Sequence, residues 1–277
     1  MKALATALAL LALIPAAGGA RAADQRAILL QSTTSTANSG LYDHLLPRFT
    51  AETGIAVRVV AVGTGQAIRN ARNCDGDVLL VHARAAEEAF VAAGFGTARH
   101  DLMVNDFVIV GPAADPAGIA GMTDAAAALA RIAAAGARFA SRGDDSGTHS
   151  RERALWAAAE RDPVAASGTW YREMGTGMGA TLNAAVGMGA YTLTDRATWV
   201  SFANKADFAV LVAGDPALVN QYGVIAVSSD ACPKVNAAGS RRFVDWLLSD
   251  AGQGAIAAHR VDGEQLFFPN AAVRDGS

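Results

Sequence analysis

Short runs of Ile, Val and Leu alternate along this chain with stretches in which apolar residues recur every three to four positions. The first pattern suits a buried strand and the second one face of a helix, so their order predicts repeated strand–helix units. Residues 27–31 form the first predicted strand, and Leu41, Leu45 and Phe49 mark a helix that ends near Gly54. Residues 55–62 read as a strand, with a helix through Ala71 after Gly63-Thr64-Gly65. Residues 77–81 are a further strand, followed by a helix over 85–93. A strand at 105–110 closes on Gly111-Pro112 and a loop to Gly121. Beyond it come an Ala-rich helix at 123–135 with Thr123 as its cap, a strand at 138–141 and a helix at 148–159. A glycine-rich turn at 175–179 precedes a helix at 181–186, residues 224–227 read as a strand, and Phe243, Val244, Leu247, Leu248 and Ile256 suit C-terminal helices.

Such alternation belongs to the α/β class, with mixed, mostly parallel sheets flanked by helices. The first 22 residues stand apart from it. They carry Lys2, an apolar stretch at 4–14, the breakers Pro15 and Gly18-Gly19, and Ala20-Arg21-Ala22. This is the composition of a signal peptide cut after Ala22 or Ala23, and it implies export to the periplasm. The apolar stretch is too short to span a bilayer, no other approaches the roughly 20 residues a span needs, and no stable membrane insertion is expected. About 255 residues remain, which suits two lobes of roughly 100–150 residues each.

Charge and composition narrow the partners. The formal net charge is −3, and loss of Lys2 and Arg21 with no acid takes it to −5. A mildly acidic chain with no basic stripe and 6% aromatic residues is not expected to bind nucleic acid. An anionic ligand would have to be drawn by local geometry. The five His residues are scattered without metal-ligand spacing, so neither a metal nor a cofactor is expected. Cys74 and Cys232 both flank polar turns; in an oxidising compartment an even pair reads as one disulfide, with two buried free thiols as the alternative.

The densest chemistry lies in Ser141-Arg142-Gly143-Asp144-Asp145-Ser146-Gly147-Thr148-His149, between a predicted strand and a predicted helix. A helix start offers unpaired N–H groups and a positive dipole end, which attract anions. Arg142 adds a permanent planar cation, and Ser146 and Thr148 add neutral donors. Similar strand–small residue–helix loops occur at Ser32-Thr33-Thr34-Ser35, at Gly63-Thr64-Gly65 and at residues 175–179. In open α/β sheets such loops collect beyond the carboxyl ends of the strands, where ligands bind. Six to eight hydrogen bonds to a charged group, at about 1.5–3 kcal/mol each, exceed the roughly 12 kcal/mol of a nanomolar complex before ordering is subtracted. Each loop alone also fits an ordinary helix cap. Asp144 and Asp145 suit a capping role or the orientation of Arg142, while His149 reads as a helix-surface or supporting residue and His82 as a satisfied loop histidine.

Set together, these residues resemble the periplasmic tungstate-binding proteins of ABC importers. The resemblance is carried by Ser32-Thr33-Thr34-Ser35-Thr36 with Ser39-Gly40-Leu41, by the run from Val78 to Ala83, and by residues 141–149. Asn105-Asp106-Phe107, Tyr191-Thr192-Leu193-Thr194-Asp195-Arg196, Asn220-Gln221-Tyr222-Gly223 and Phe243-Val244-Asp245-Trp246-Leu247 extend it, in order, over nearly all of the mature chain. It implies a type II periplasmic binding fold: two α/β lobes joined by two crossovers, near residues 108–112 and 211–215, with the ligand in the cleft. Lobe 1 would comprise 23–109 and 214–277, and lobe 2 would comprise 110–213. Thr33, Thr34, Ser35 and Thr64 would line the cleft from the first lobe. Arg142, Ser146, Gly147, Thr148 and backbone near Gly179 would line it from the second. The resemblance further implies a monomer without catalytic activity that captures tungstate, or molybdate, and delivers it to the ABC permease subunits. The first loop departs from the family's more frequent pattern by placing Ser at position 32 where Thr is usual.

Two alternatives remain at this level. Arg142-x-x-x-Ser146-Gly147-Thr148 also resembles phosphate-binding proteins, whose ligand gains from a carboxylate that accepts its proton. A secreted serine hydrolase would instead pair Ser146 with His149 or His82, but the surroundings of Ser146 lack a G-x-S-x-G elbow.

Overall fold

The computed structural model describes residues 27–271, so the expected signal peptide lies outside the described residues. The chain opens with β1 (Ala27–Thr33), α1 (Thr34–Asn38), α2 (Leu41–Thr53), β2 (Ala56–Val62), α3 (Thr64–Arg72), β3 (Val78–Val81), α4 (Arg84–Ala92) and the long β4 (Gly96–Pro112). A second group follows: α5 (Ala125–Ala134), β5 (Phe139–Ser141), α6 (Gly147–Ala158), β6 (Tyr171–Glu173), α7 (Met178–Met188), β7 (Thr192–Asp195), α8 (Arg196–Ser201) and β8 (Phe208–Val212). The chain then returns through β9 (Val219–Val227) to α9 (Ala237–Leu248), α10 (Asp250–Ala258) and the short strands β10 (Arg260–Val261), β11 (Glu264–Gln265) and β12 (Phe268–Pro269).

The sheet is mixed. β1 pairs in parallel with β2 and β3, while β9 joins β3 and β4 in antiparallel register, giving the order β12-β4-β9-β3-β1-β2. β4 changes partners along its length. It pairs with β9 up to Asp106 and from Phe107 onward with β7 and β8. Parallel pairing returns between β5 and β6.

Alternation along the strands explains the layers. Val78 and Leu80 face a core with Leu41, Leu45, Phe49, Phe243, Leu247 and Ile256, under α2, α9 and α10. Leu79 and Val81 face the opposite side, with Ala67, Ile68, Phe90 and Ile225 under α3 and α4. A strand covered on both faces reads as an unbroken apolar run, which is why Val78-Leu79-Leu80-Val81 shows no polar position. The second half of β4 repeats the scheme. Phe107 and Ile109 enter a core with Leu129, Ile132, Phe139 and Trp156, and Val108 and Val110 enter another with Met178, Leu182 and Trp199.

Short elements such as α1, β6 and β10–β12 were not expected from the sequence, and two larger departures bear on the architecture. β4 runs 17 residues, not six, because Arg99, His100 and Asp101 interrupt the apolar pattern of its first half. Arg99 is there for a buried ion pair: its Nε donates to Glu87 Oε2 at 2.7 Å, and both side chains are nearly inaccessible. Gly223 makes room for it, since a Cβ there would lie 2.1 Å from Glu87 Oε2. β7 and β8 flank α8 in a region where no strand was expected, and their pairing partner is the distant β4.

Cys74 and Cys232 form a disulfide with Cα atoms 5.4 Å apart, tying the turn after α3 to the turn after β9 across 158 residues of chain. Closing so long a loop removes conformational entropy from the unfolded state. Replacing both cysteines by serine is expected to lower the unfolding free energy by about 2–5 kcal/mol in denaturant titration. An unchanged midpoint would show that the bridge adds nothing to stability.

Candidate functional site

Three helix starts meet at one small cavity. β1 ends on Thr33, which caps α1: its Oγ1 accepts the N–H of Thr36 at 3.4 Å and lies 2.7 Å from Thr36 Oγ1. β2 ends at Val62, and extended Gly63 turns the chain into α3 at Thr64. β5 ends at Ser141, and the loop that follows reaches α6 through Ser146, whose Oγ accepts the N–H of His149 at 3.2 Å. The cavity is lined by Thr33, Thr34 and Ser35, by Val62, Gly63 and Thr64, by His82, and by Arg142, Ser146, Gly147 and Thr148. Its volume is ≈10 Å³, so the loops lie close around a small enclosed space.

The lining is rich in donors and almost free of acceptors. First-turn N–H groups of a helix have no partner within the helix, and three helices contribute them here. The capping role of Thr33 and Ser146 does not exhaust them. The Ser146 hydroxyl accepts from the backbone with a lone pair and still carries a proton, while Thr33 Oγ1 shares hydroxyl contacts with Ser35 and Thr36. Arg142 is the only cation in the lining, and no carboxylate is part of it. Its side chain is 7% exposed and is held by an ion pair to Asp144, whose other oxygen accepts the Ser146 N–H at 3.2 Å. Arg142 Nε is buried without a partner. A buried guanidinium N–H with nothing to receive it is costly, and an anion in the cavity is the natural acceptor.

Below this loop lies Glu152 on α6, 1% exposed. Its Oε1 accepts from Tyr171 Oη at 2.8 Å and from Trp156 Nε1 at 3.2 Å, and Ser141 and the Arg142 N–H also bond to the carboxyl. Burial outweighs these donors and pushes its pKa up to about 7. The group therefore braces the Arg142 loop from behind.

The expected cleft residues Thr33, Thr34, Ser35, Thr64, Arg142, Ser146, Gly147 and Thr148 are thus brought together. Gly179 is not among them. It lies exposed in the first turn of α7, where Thr181 Oγ1 turns back to Gly177 O at 3.2 Å. Ser32 also turns away, bonding Tyr42 Oη and Leu80 O. His149 Nδ1 accepts the Asp145 N–H at 3.1 Å, so its lone pair is not aimed at Ser146 as a general base requires. Asp145 is 93% exposed. His82, at the carboxyl end of β3, reads in the sequence as an ordinary loop histidine, yet it lines the cavity. The signal was its position, one residue past an apolar strand, as Arg142 is past β5.

The Glu152 carboxyl generates a pH prediction. Its folded pKa lies above the usual 4.5, so the folded state holds more protons than the unfolded one between about 4.5 and 7. Its contribution to stability is complete below 4.5 and is lost as pH rises through 7. Glu152→Gln keeps an acceptor and removes the titration. Its stability relative to the unmutated protein is expected to rise by about 3 kcal/mol between pH 4.5 and 8, read from urea unfolding at each pH. A pH-independent difference would contradict the assignment.

Comparison with known proteins identifies the family. Residues 16–251 match the family model of the PBP superfamily domain. The chain is 47% identical over 249 residues to the tungstate-binding protein TupA of Peptoclostridium acidaminophilum, covering 88% of this chain and 86% of that protein. Its structure superposes on the tungstate-binding protein TupA of Desulfovibrio alaskensis G20 with a TM-score of 0.79 at 50% identity, covering 89% of this chain and 99% of that one. A crystal structure of the tungstate ABC transporter from Geobacter sulfurreducens gives a TM-score of 0.77 at 44% identity, covering 85% and 99% of the two chains. With a family match of this extent and relatives at this identity, the chain belongs to the type II periplasmic binding proteins and, within them, to the periplasmic tungstate-binding proteins of ABC importers.

Proposed function

We propose that this protein captures tungstate, with molybdate as a near-equivalent of the same shape and charge, and delivers it in the periplasm to the permease subunits of an ABC importer. The observation that carries this reading is the cavity: three helix N-termini, six hydroxyl side chains and one buried Arg converge on one small, donor-lined space. Relatives described as tungstate-binding proteins supply the same ligand class. The ligand is held between two lobes, residues 23–109 with 214–277 and residues 110–213, and the exchange of partners by β4 beyond Asp106 supports a junction near there. The protein acts as a monomer and as a carrier, without a catalytic step.

Phosphate fits the cavity less well. At neutral pH much of it carries a proton that needs an acceptor. Asp144 is committed to Arg142 and the Ser146 N–H, and Asp145 lies in solvent. Tungstate and molybdate carry no proton there and match a lining of donors.

Isothermal titration with tungstate, molybdate, sulfate and phosphate tests the reading. Tight binding of tungstate and molybdate is expected, with sulfate and phosphate far weaker. Arg142→Ala is expected to weaken tungstate binding by more than tenfold, since it removes the one cation of the lining. No tungstate binding at micromolar concentration would overturn the proposal, and an unchanged dissociation constant in Arg142→Ala would place the site elsewhere.

A further inference from the structure

We propose that His82 is a further ligand-binding residue of this cavity, donating a ring N–H from the end of β3 to an oxygen of the bound oxyanion. The inference rests on the reading of the cavity as an oxyanion site and adds a donor of a kind that the hydroxyl loops do not supply.

The first observation is an unmet need. Nδ1 and Nε2 of His82 are both buried; the Asn220 side chain interacts with the ring, yet neither nitrogen has a well-formed hydrogen bond. Buried polar atoms in folded proteins are almost always paired, so an orphaned pair on one ring calls for an explanation. Arg142 Nε, on the opposite lobe, is orphaned in the same way, and both residues line the same cavity. Two unpaired donors from two lobes facing one small space are what a shared acceptor would resolve.

The second observation is position. A Cβ built on Gly147 would lie 2.7 Å from His82 Cε1, 2.9 Å from His82 Nδ1 and 3.3 Å from Thr64 Oγ1. The imidazole edge, the Thr64 hydroxyl and the first residue of α6 therefore meet within the width of a methyl group. Glycine at 147 is what lets the ring come so close to the helix start. On its other side the ring borders a recess of ≈340 Å³ that Arg84 and Arg151 help to line, so it also partitions the anion cavity from that wider space.

The ring is held, not free to swing away. It packs on Tyr222 with centroids 4.9 Å apart, and Tyr222 Oη accepts from Asn105 Nδ2 at 3.3 Å. The next residue, Ala83, gives its N–H to Glu87 Oε1 at 2.6 Å, and Glu87 is fixed in turn by Arg99. A donor positioned in advance loses little entropy when it binds. Burial, with the Arg142 charge second, pushes the imidazole down to about 4, so at neutral pH it is uncharged and presents one N–H. It contributes a hydrogen bond without a second cation.

The test compares His82→Phe, which keeps a ring of similar bulk and no donor, with His82→Gln, which restores an amide N–H. Tungstate titration and thermal unfolding of the ligand-free protein are read for each. His82→Phe is expected to weaken tungstate binding by about 10- to 100-fold, the range for one hydrogen bond to a charged group. His82→Gln is expected to recover most of that loss. The ligand-free Tm of His82→Phe is expected to equal or exceed that of the unmutated protein, because two orphaned nitrogens are gone; a purely structural histidine would lower it. His82→Leu makes the same comparison should the larger ring prevent folding. Unmutated affinity in His82→Phe, or equal losses in Phe and Gln variants together with a lower ligand-free Tm, would overturn the assignment of His82 alone. Failure of the unmutated protein to bind tungstate or molybdate would overturn the oxyanion reading and this inference with it.

Discussion

An oxyanion leaving water must receive a hydrogen bond for nearly every lone pair it presents, from donors already in place. That constraint organises the proposed site. Folded backbone offers such donors without extra charge only where helices begin, and strand–helix connections put the beginnings of helices beyond the ends of strands. Here three of those ends, at Thr33, Val62 and Ser141, are followed by helix starts that reach one cavity. Each hydrogen bond to a charged group is worth about 1.5–3 kcal/mol, so a handful suffices for tight binding even after closure is subtracted.

Holding donors in place without their ligand has a cost, and the surroundings carry it. Asp144 fixes the Arg142 fork and one capping N–H at once. Glu152 sits under the same loop although burial opposes its charge. On the other lobe Glu87 and Arg99 bury an ion pair that anchors the start of the turn next to His82, with Gly223 left bare to admit it. A buried pair of this kind gives little net stability, and Arg99 keeps one guanidinium nitrogen without a partner, so what it supplies here is position. The cavity is therefore supported by charged groups that do not line it.

Much of this was legible in the chain before any coordinates. Unbroken apolar runs such as residues 78–81 mark strands covered on both faces, and the hydroxyl and glycine residues after them mark the loops that meet. Thr33 and Ser146 are both caps and cavity residues, so a hydroxyl that caps a helix can also line the cavity. Other features depend on distant partners that no local pattern records. The length of β4, the pairing of β7 and β8, and the burial of Glu87 and Glu152 all depend on what packs opposite. Gly179 shows the converse: a glycine-rich helix start looks like its neighbours in sequence, but α7 turns that end to solvent. His82 was marked in the sequence only by its position after an apolar strand, and its proposed role rests on two buried ring nitrogens that lack well-formed hydrogen bonds.

The central claim is that one oxyanion sits among donors from both lobes. The most direct measurement is a crystal structure of the tungstate-loaded protein with anomalous scattering recorded at a tungsten edge. The account predicts a single strong anomalous peak enclosed by Thr33, Thr34, Ser35, Thr64, Arg142, Ser146, Gly147 and Thr148, within hydrogen-bond reach of first-turn N–H groups from α1, α3 and α6. A peak at the exposed start of α7, or in the wider recess bordered by Arg84 and Arg151, with the cavity left to water, would contradict it.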